Sequence, residues 1–353
     1  MHENLNYQLN LILHDFEIAQ KNYSISILNN GLINDTYVIS LEQQPVYVLQ
    51  RINHKIFEDI EGLMQNIALA LPFLKTENYT SINLVKTKSN TSYLSKDGCF
   101  WRLMTYIAES ITYNTTKNKV IAFEAGRIIG TFHNALQHVD AHKFSDTIPR
   151  FHDLTLREYQ FHEALTNAEH SKKNTAKEAI DFALKMIPQI KALHIDNLPI
   201  RICHNDTKLN NILFSKQTQK ALCLIDLDTI MKGHFYYDFG DAVRTLTNTA
   251  SEDEKDHSKI TFEKELFISF IDGLVNSGII LTKKEIETLS LGAVLMPFLH
   301  GIRALTDYLD NDRYYKVVYD NQNLDRSLSL FNFSQKAFAE LKFMNTVISK
   351  KTL

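Results

Sequence analysis

The chain has 353 residues, 44% of them hydrophobic and 22% charged, with 38 Lys and Arg against 41 Asp and Glu for a formal net charge of -3. This balance excludes a disordered or low-complexity chain and supplies apolar residues for two ordinary domains or one large two-lobed unit. With no long basic run there is no electrostatic case for nucleic acid or an anionic membrane as partner, so any phosphate should be bound locally.

Residues 1–19 space Leu5, Leu9, Ile12, Leu13 and Phe16 as an amphipathic helix, interrupted by Glu3, His14, Asp15 and Glu17 in a way no signal peptide is. Alternation then predicts strands over 24–28, 36–41, 46–50, 82–87 and 100–105, with turns at Asn29, Asn30 and Gly31 and at Asp97 and Gly98. A helix over 57–74 interrupts them, with Ile60, Leu63, Met64, Ile67 and Leu71 on one face. Beyond about Ile107 the period becomes helical over 120–136, 154–166, 176–193, 262–275, 284–309 and 324–348, apart from a loop around Asp206 and short strands around Leu213 and Leu224. The chain therefore reads as α+β: a small β-rich lobe over 1–106, a larger mainly helical lobe over 107–353, and a cleft between them at the linker Tyr106, Ile107 and Ala108.

No window approaches the ~18 uninterrupted apolar residues of a membrane span. Cys99, Cys203 and Cys223 are odd in number, widely spaced and set among apolar residues, which reads as free thiols in a reducing cytoplasm. His138, Asp140 and His142 lack a further ligand nearby and read as a polar helix exit, and His133 as packing within its helix. The run from Ser251 to His257 reads as a solvated loop or helix start.

The chemistry concentrates between Arg201 and Asp228. Asp206 lies two residues after His204 and five before Asn211, the H-x-D-x-x-x-x-N spacing of a phosphoryl-transfer loop in which the Asp orients a hydroxyl and the Asn holds a metal ion. Asp226 closes the apolar run 221–225, so its carboxylate projects from a strand end beside Asn211. A carboxylate and an amide suit the hard, oxygen-seeking Mg²⁺, and an ionised Asp206 near an incoming hydroxyl accepts its proton. Lys208, two residues past Asp206, is placed to balance charge on the γ-phosphate, whereas His204 reads as a buried loop histidine. Gly31 permits close backbone approach, so the segment 31–37, including Asn34 and Thr36, is expected to lie over ATP phosphates.

Five segments, 31–37, 47–53, 204–213, 225–231 and 238–244, resemble the aminoglycoside phosphotransferase and choline kinase superfamily, a branch of the protein-kinase-like fold, and its N-acetylhexosamine 1-kinases above all. The resemblance runs through most of the chain. It implies ATP-dependent, Mg²⁺-dependent phosphorylation of the anomeric hydroxyl of an N-acetylhexosamine, with Asp206 catalytic, Asn211 and Asp226 on the metal, and adenine received by the backbone of Tyr106 and Ile107. The segment from Arg303 to Tyr315 is similar to the one that grips the sugar, which points to Arg303 and Tyr314; Asp228 is a further candidate contact. The resemblance departs at the third strand, where no lysine stands. Gln50 or Arg51 must replace it, and since they face opposite ways only one can enter the cleft; Arg51 is the better charge match, with Glu58 or Glu61 as its partner. Asp238 and Asp241 read as supports of the loop rather than metal ligands. The rival readings are a cationic acceptor such as choline or an aminoglycoside, a nucleotide-binding protein without catalysis, and a metal hydrolase built on His204, Asp206, Asp226 and Asp228.

Overall fold

Alternating apolar side chains draw the N-terminal third into one antiparallel sheet. The structure is a computed structural model that describes residues 2–28, 33–193 and 195–351; the expected turn at Asn29, Asn30 and Gly31, and with it the phosphate contact assigned to Gly31, lies outside the described residues. Helix α1 (His2–Leu13) precedes β1 (Ser24–Leu28), β2 (Asp35–Leu41) and β3 (Gln44–Ile52), followed by α2 (Ile60–Ala70), β4 (Leu84–Val85), β5 (Leu94–Lys96) and β6 (Cys99–Thr105). The strand order is β1-β2-β3-β6-β4, with β5 also paired to β6. Register sets Thr36 opposite Gln50 and Gln50 opposite Arg102, while Asp35, Arg51 and Trp101 align on the other face. That second face, through Tyr37, Ile39, Leu49, Trp101 and Leu103, packs on Leu9, Ile12, Leu13 and Phe16 in a small core of its own.

Helix α2 is shorter than the expected 57–74 because Asp59 caps it, accepting from the Gly62 N–H at 2.8 Å. Its apolar face belongs to the main core, which runs on through the C-terminal helices. Asn66, fully buried, donates at 2.8 Å to both Ser145 and Ile230 carbonyls and so ties α2 to the larger lobe.

The rest of the chain forms β7 (Ser110–Ile111), α3 (Lys119–Leu136), α4 (Leu154–Asn167), α5 (His170–Thr175), α6 (Lys177–Ala192), β8 (Arg201–Cys203), β9 (Ile212–Ser215), β10 (Ala221–Leu224), β11 (Met231–Gly233), α7 (Phe235–Leu246), α8 (Lys264–Asn276), α9 (Lys283–Leu309), α10 (Gln322–Ala339) and α11 (Leu341–Ser349). Three differences from expectation have local causes. The single helix expected over 324–348 breaks at Glu340, the strand over 82–87 contracts to the two residues that reach β6, and α7 was concealed because its buried positions include Asp238, Asp241 and Arg244. Helix α9 is long and apolar enough to cross a membrane, but 89% of its apolar window is buried inside the protein, which accounts for its composition. All three cysteines are free.

Helices α7 and α9 meet backbone to backbone. A Cβ on Gly240 would lie 2.0 Å from the Gly292 carbonyl oxygen, and one on Gly292 would lie 2.2 Å from that of Tyr236. Gly292→Val must therefore separate the helices, with an expected loss of about 1–3 kcal/mol for overpacking. Urea denaturation reads this as a lower midpoint at constant slope; an unchanged midpoint would show that the close approach is dispensable.

Candidate active site

The loop carrying Asp206 hangs between β8 and β9. Strand β8 is held by β11, with Cys203 opposite Met231 and Arg201 opposite Gly233. The chain then turns through Asn205 in the left-handed region (φ 62°), which Asn tolerates better than most residues. Asp238, fully buried on α7, supports that turn: it accepts from the N–H groups of His204 at 2.8 Å and Asn205 at 2.7 Å, and from His133 Nε2 at 2.9 Å. Thr207 donates to the Asp238 carbonyl at 2.6 Å, and Thr245 accepts from the Leu209 N–H at 2.9 Å.

His204 is a strut, as its position in the motif suggested. Its Nε2 donates to the Ile225 carbonyl at 2.9 Å and its Nδ1 accepts from the Asp206 N–H at 3.3 Å, so one imidazole joins the two acid-bearing turns. His133, expected only to pack, instead helps hold Asp238. Among the described residues His133, Cys203 and Asp238 form the one group of three such side chains whose ligand atoms converge, but all are buried and the Asp238 oxygens are occupied by the loop. Asp140 caps the turn holding His142.

Three predicted residues meet directly. Asp206 Oδ2 accepts from Lys208 Nζ at 2.9 Å and from Asn211 Nδ2 at 2.8 Å. Asn211 Nδ2 also donates to the Asp206 carbonyl at 2.8 Å, which fixes the amide and leaves its Oδ1 without a donor among the described residues. Burial opposes the charge on Lys208, but the carboxylates of Asp206 and Asp226 outweigh it and raise the ammonium pKa.

Asp226 itself has left-handed backbone (φ 61°, ψ 56°) and is exposed to the cleft. The protein around it, then the charges of Asp228 and Asp206, push its carboxyl up to about 6 against the opposing Lys208 and Arg102, and cleft water screens part of that rise. Three carboxylates against two cations, with hard oxygen donors on Asp226 and Asn211, form a donor set that fits a divalent cation such as Mg²⁺.

Asp228 does not face an acceptor. It is 3% exposed, and its carboxylate takes the Arg102 guanidinium and, at 2.6 Å, Asn34 Nδ2. Asn34 also accepts from the Asn53 N–H at 3.0 Å. Arg102 in turn donates from Nε and Nη2 to Gln50 Oε1 at 2.9 and 2.7 Å, and Gln50 donates to the Thr36 hydroxyl at 3.1 Å. Thus Asn34 and Thr36 belong to one polar network under the β2–β3 hairpin. The expectation for Arg51 is corrected: it lies on the opposite sheet face, half exposed, paired with Asp35 and 6.0 Å from the Trp101 ring centroid. Neither suggested partner reaches it, since Glu58 and Glu61 are exposed to solvent. At the linker, the Tyr106 N–H donates to Val46 at 3.0 Å and the Ile107 carbonyl accepts from Ser110 at 2.6 Å, while the Tyr106 carbonyl and the Ile107 N–H have no partner among the described residues.

Arg303, from α9, lies close enough to Asp206 for the two charges to act on each other. Its guanidinium sits 4.8 Å from the Phe151 ring centroid, 5.7 Å from that of Tyr314 and 6.0 Å from that of Tyr315. Asp307, one turn on, accepts from the Tyr314 and Tyr315 N–H groups at 2.7 and 2.9 Å and so presents both rings. Burial and then Arg303 lower the Arg157 pKa to about 10, while burial and the adjacent His300 hold His152 near 3, hence neutral. A cavity of about 380 Å³ opens beside Lys208, lined also by Asn210, Arg244, Asn248 and Glu252.

Arg102, Phe151, Arg157 and Tyr315 were not anticipated. A charged residue inside the apolar strand 99–105 was a usable signal for Arg102, because a buried Arg demands a partner.

A family model described as the phosphotransferase enzyme family matches residues 24–259, more than half of the chain. Among solved structures, an aminoglycoside phosphotransferase from Alicyclobacillus acidocaldarius matches at TM-score 0.63 and 14% identity, over 96% of this chain and 95% of that one. A choline kinase from Cryptosporidium parvum matches at 0.59 and 14%, over 97% and 99%. An amicoumacin kinase in complex with AMP-PNP and Ca²⁺ matches at 0.59 and 13%, over 96% of each chain. These likenesses carry the two-lobed, protein-kinase-like fold, and with the matched model they establish that the chain belongs to the phosphotransferase enzyme family.

Proposed function

We propose that the protein transfers the γ-phosphoryl group of ATP to the anomeric hydroxyl of an N-acetylhexosamine. The observation that carries this reading is the position of Asp206: it is bonded to Lys208 and Asn211, and its charge is felt by both Asp226 and Arg303. In this mechanism Asp206 orients the sugar O1–H and takes its proton as O1 bonds to phosphorus, and the bond from phosphorus to the bridging oxygen breaks to release ADP. Lys208 meets the charge on the transferring phosphoryl. Asn211 and Asp226 would hold Mg²⁺, which neutralises phosphate charge when bound. The Tyr106 carbonyl suits the adenine amino group and the Ile107 N–H a ring nitrogen.

The acceptor side favours a neutral ligand. Arg157 and Arg303 repel each other, and a cationic acceptor would add a further positive charge beside them. Arg303 can instead donate to hydroxyls or to an acetamido carbonyl, with the Tyr314 ring against the pyranose face. This chemistry, together with the similarity of the segment 303–315, supports the hexosamine, in a cytoplasmic protein that engages no nucleic acid or membrane.

Magnesium-dependent ADP release over a panel of N-acetylhexosamines, hexoses, choline and aminoglycosides tests the assignment, with phosphorus NMR locating the ester. The expected product is the sugar 1-phosphate; turnover of choline alone would overturn the acceptor, and no turnover at all would leave a nucleotide-binding protein without catalysis. Asp206→Asn should lower kcat by roughly 10²- to 10⁴-fold while Mg·ATP still binds, and near-normal turnover would remove Asp206 from the mechanism. Arg303→Leu should raise KM for the sugar by roughly ten- to a hundredfold, as for a lost charged hydrogen bond, with KM for ATP unchanged.

A pH dependence follows from Asp226. Its folded pKa, about 6, lies above its ordinary 3.8, so without cation the folded state keeps a proton the unfolded chain releases, and stability falls as pH rises through that window. A divalent cation binds the ionised form. Millimolar Mg²⁺ should therefore raise Tm more at about pH 8 than at about pH 5, and equal shifts would detach Asp226 from the metal.

A further inference from the structure

The nucleotide side of the cleft lacks the charge that phosphoryl transfer ordinarily takes from a third-strand lysine. Gln50 on β3 is neutral, and Arg51 is turned to the far face of the sheet. One strand over, on the same face as Gln50 and directly opposite it in register, stands Arg102. Its guanidinium is almost completely buried, at 1% exposure, yet only three of its five N–H groups have acceptors: Nε and Nη2 on Gln50, and Nη1 on Asp228. The remaining two have none among the described residues. The guanidinium pairs with Asp228, two residues from Asp226, and its charge reaches Asp226.

We propose that Arg102, delivered by β6 and clamped by Gln50 and Asp228, is the cation that binds the phosphates of the nucleoside polyphosphate, with its two uncommitted N–H groups as donors. Gln50 fits this role as the neutral acceptor that fixes the plane of the guanidinium, and Asp228 as the anion that keeps it aimed across the cleft. A buried Arg–Asp pair is weak as a stabilising device, since an apolar pair of similar size serves a core at least as well. A phosphate-binding role gives the pair a reason to be charged. The inference rests on the kinase reading for its nucleotide, but not on the identity of the sugar.

Calorimetric titration of the full chain with Mg·ADP tests it without any acceptor. Removing Arg102 alone strands Asp228 and endangers folding, so the informative variant is Arg102→Met with Asp228→Asn, which deletes both charges. Its affinity for Mg·ADP should fall about tenfold or more, as expected when charge-assisted contacts to phosphate are lost. Adding Gln50→Lys to that pair returns a cation to the same face and should recover most of the loss. Arg51→Met, on the opposite face, should leave the affinity within about twofold of wild type, since surface pairs contribute little. Wild-type affinity in the doubly substituted protein, or no recovery with Gln50→Lys, would return Arg102 to joining the lobes and nothing more. Failure of the wild type itself to bind Mg·ADP would instead overturn the kinase reading, and the role of Arg102 with it.

Discussion

Asp238 accepts two main-chain N–H groups and an imidazole N–H inside the larger lobe, and the loop carrying Asp206 takes its shape from that arrangement. Buried main-chain donors left without acceptors are costly, and each charge-assisted bond to a carboxylate contributes about 1.5–3 kcal/mol. The strain of left-handed backbone at Asn205, of order 1–3 kcal/mol, is offset there. With the loop held, His204 can bridge Asp206 and Ile225, and the second left-handed residue, Asp226, emerges beside Asn211. The proposed chemistry thus stands on an acid that takes no part in it.

A second buried carboxylate couples the lobes. Asp228 receives Asn34 from just before β2 and Arg102 from β6, while its carbonyl accepts from Thr147 at 3.0 Å. Asn66 adds a neutral tie from α2. These contacts cross from the sheet and α2 to the loop next to Asp226, so the sheet cannot tilt without disturbing the acid that faces the cleft. Helix α2 contributes no carboxylate to this junction, because Glu58 and Glu61 face solvent.

The two flanks of Asp206 are electrostatically distinct. Around Asp226, negative charge exceeds positive, and a divalent cation would relieve the excess there. Around Arg303, a guanidinium group stands among rings, with Asp307 holding the backbone of Tyr314 and Tyr315, while Asp241 pairs with Arg244 at 2.6 Å.

Order along the chain was legible wherever one residue type repeats at a fixed period or a motif is contiguous. The β-rich first third, the long helices and the cluster of Asp206, Lys208 and Asn211 all follow from local spacing, and the reading of Asp238 as a support of the loop agrees with its contacts. Helix α7 escaped because buried charges interrupted its apolar stripe, and α10 and α11 merged because a break at Glu340 leaves the apolar period intact. Facing was harder. Alternation dictates that Gln50 and Arg51 point opposite ways, but which of them enters the cleft depends on which sheet face α1 covers, a contact between residues far apart in sequence. The partnership of Arg102 with Asp228 spans 126 positions. Sequence by itself determined most of the elements and the loop around Asp206, since these arise from neighbours a few residues apart; only tertiary structure decided which charges meet, because burial and pairing are set by the packing of distant segments.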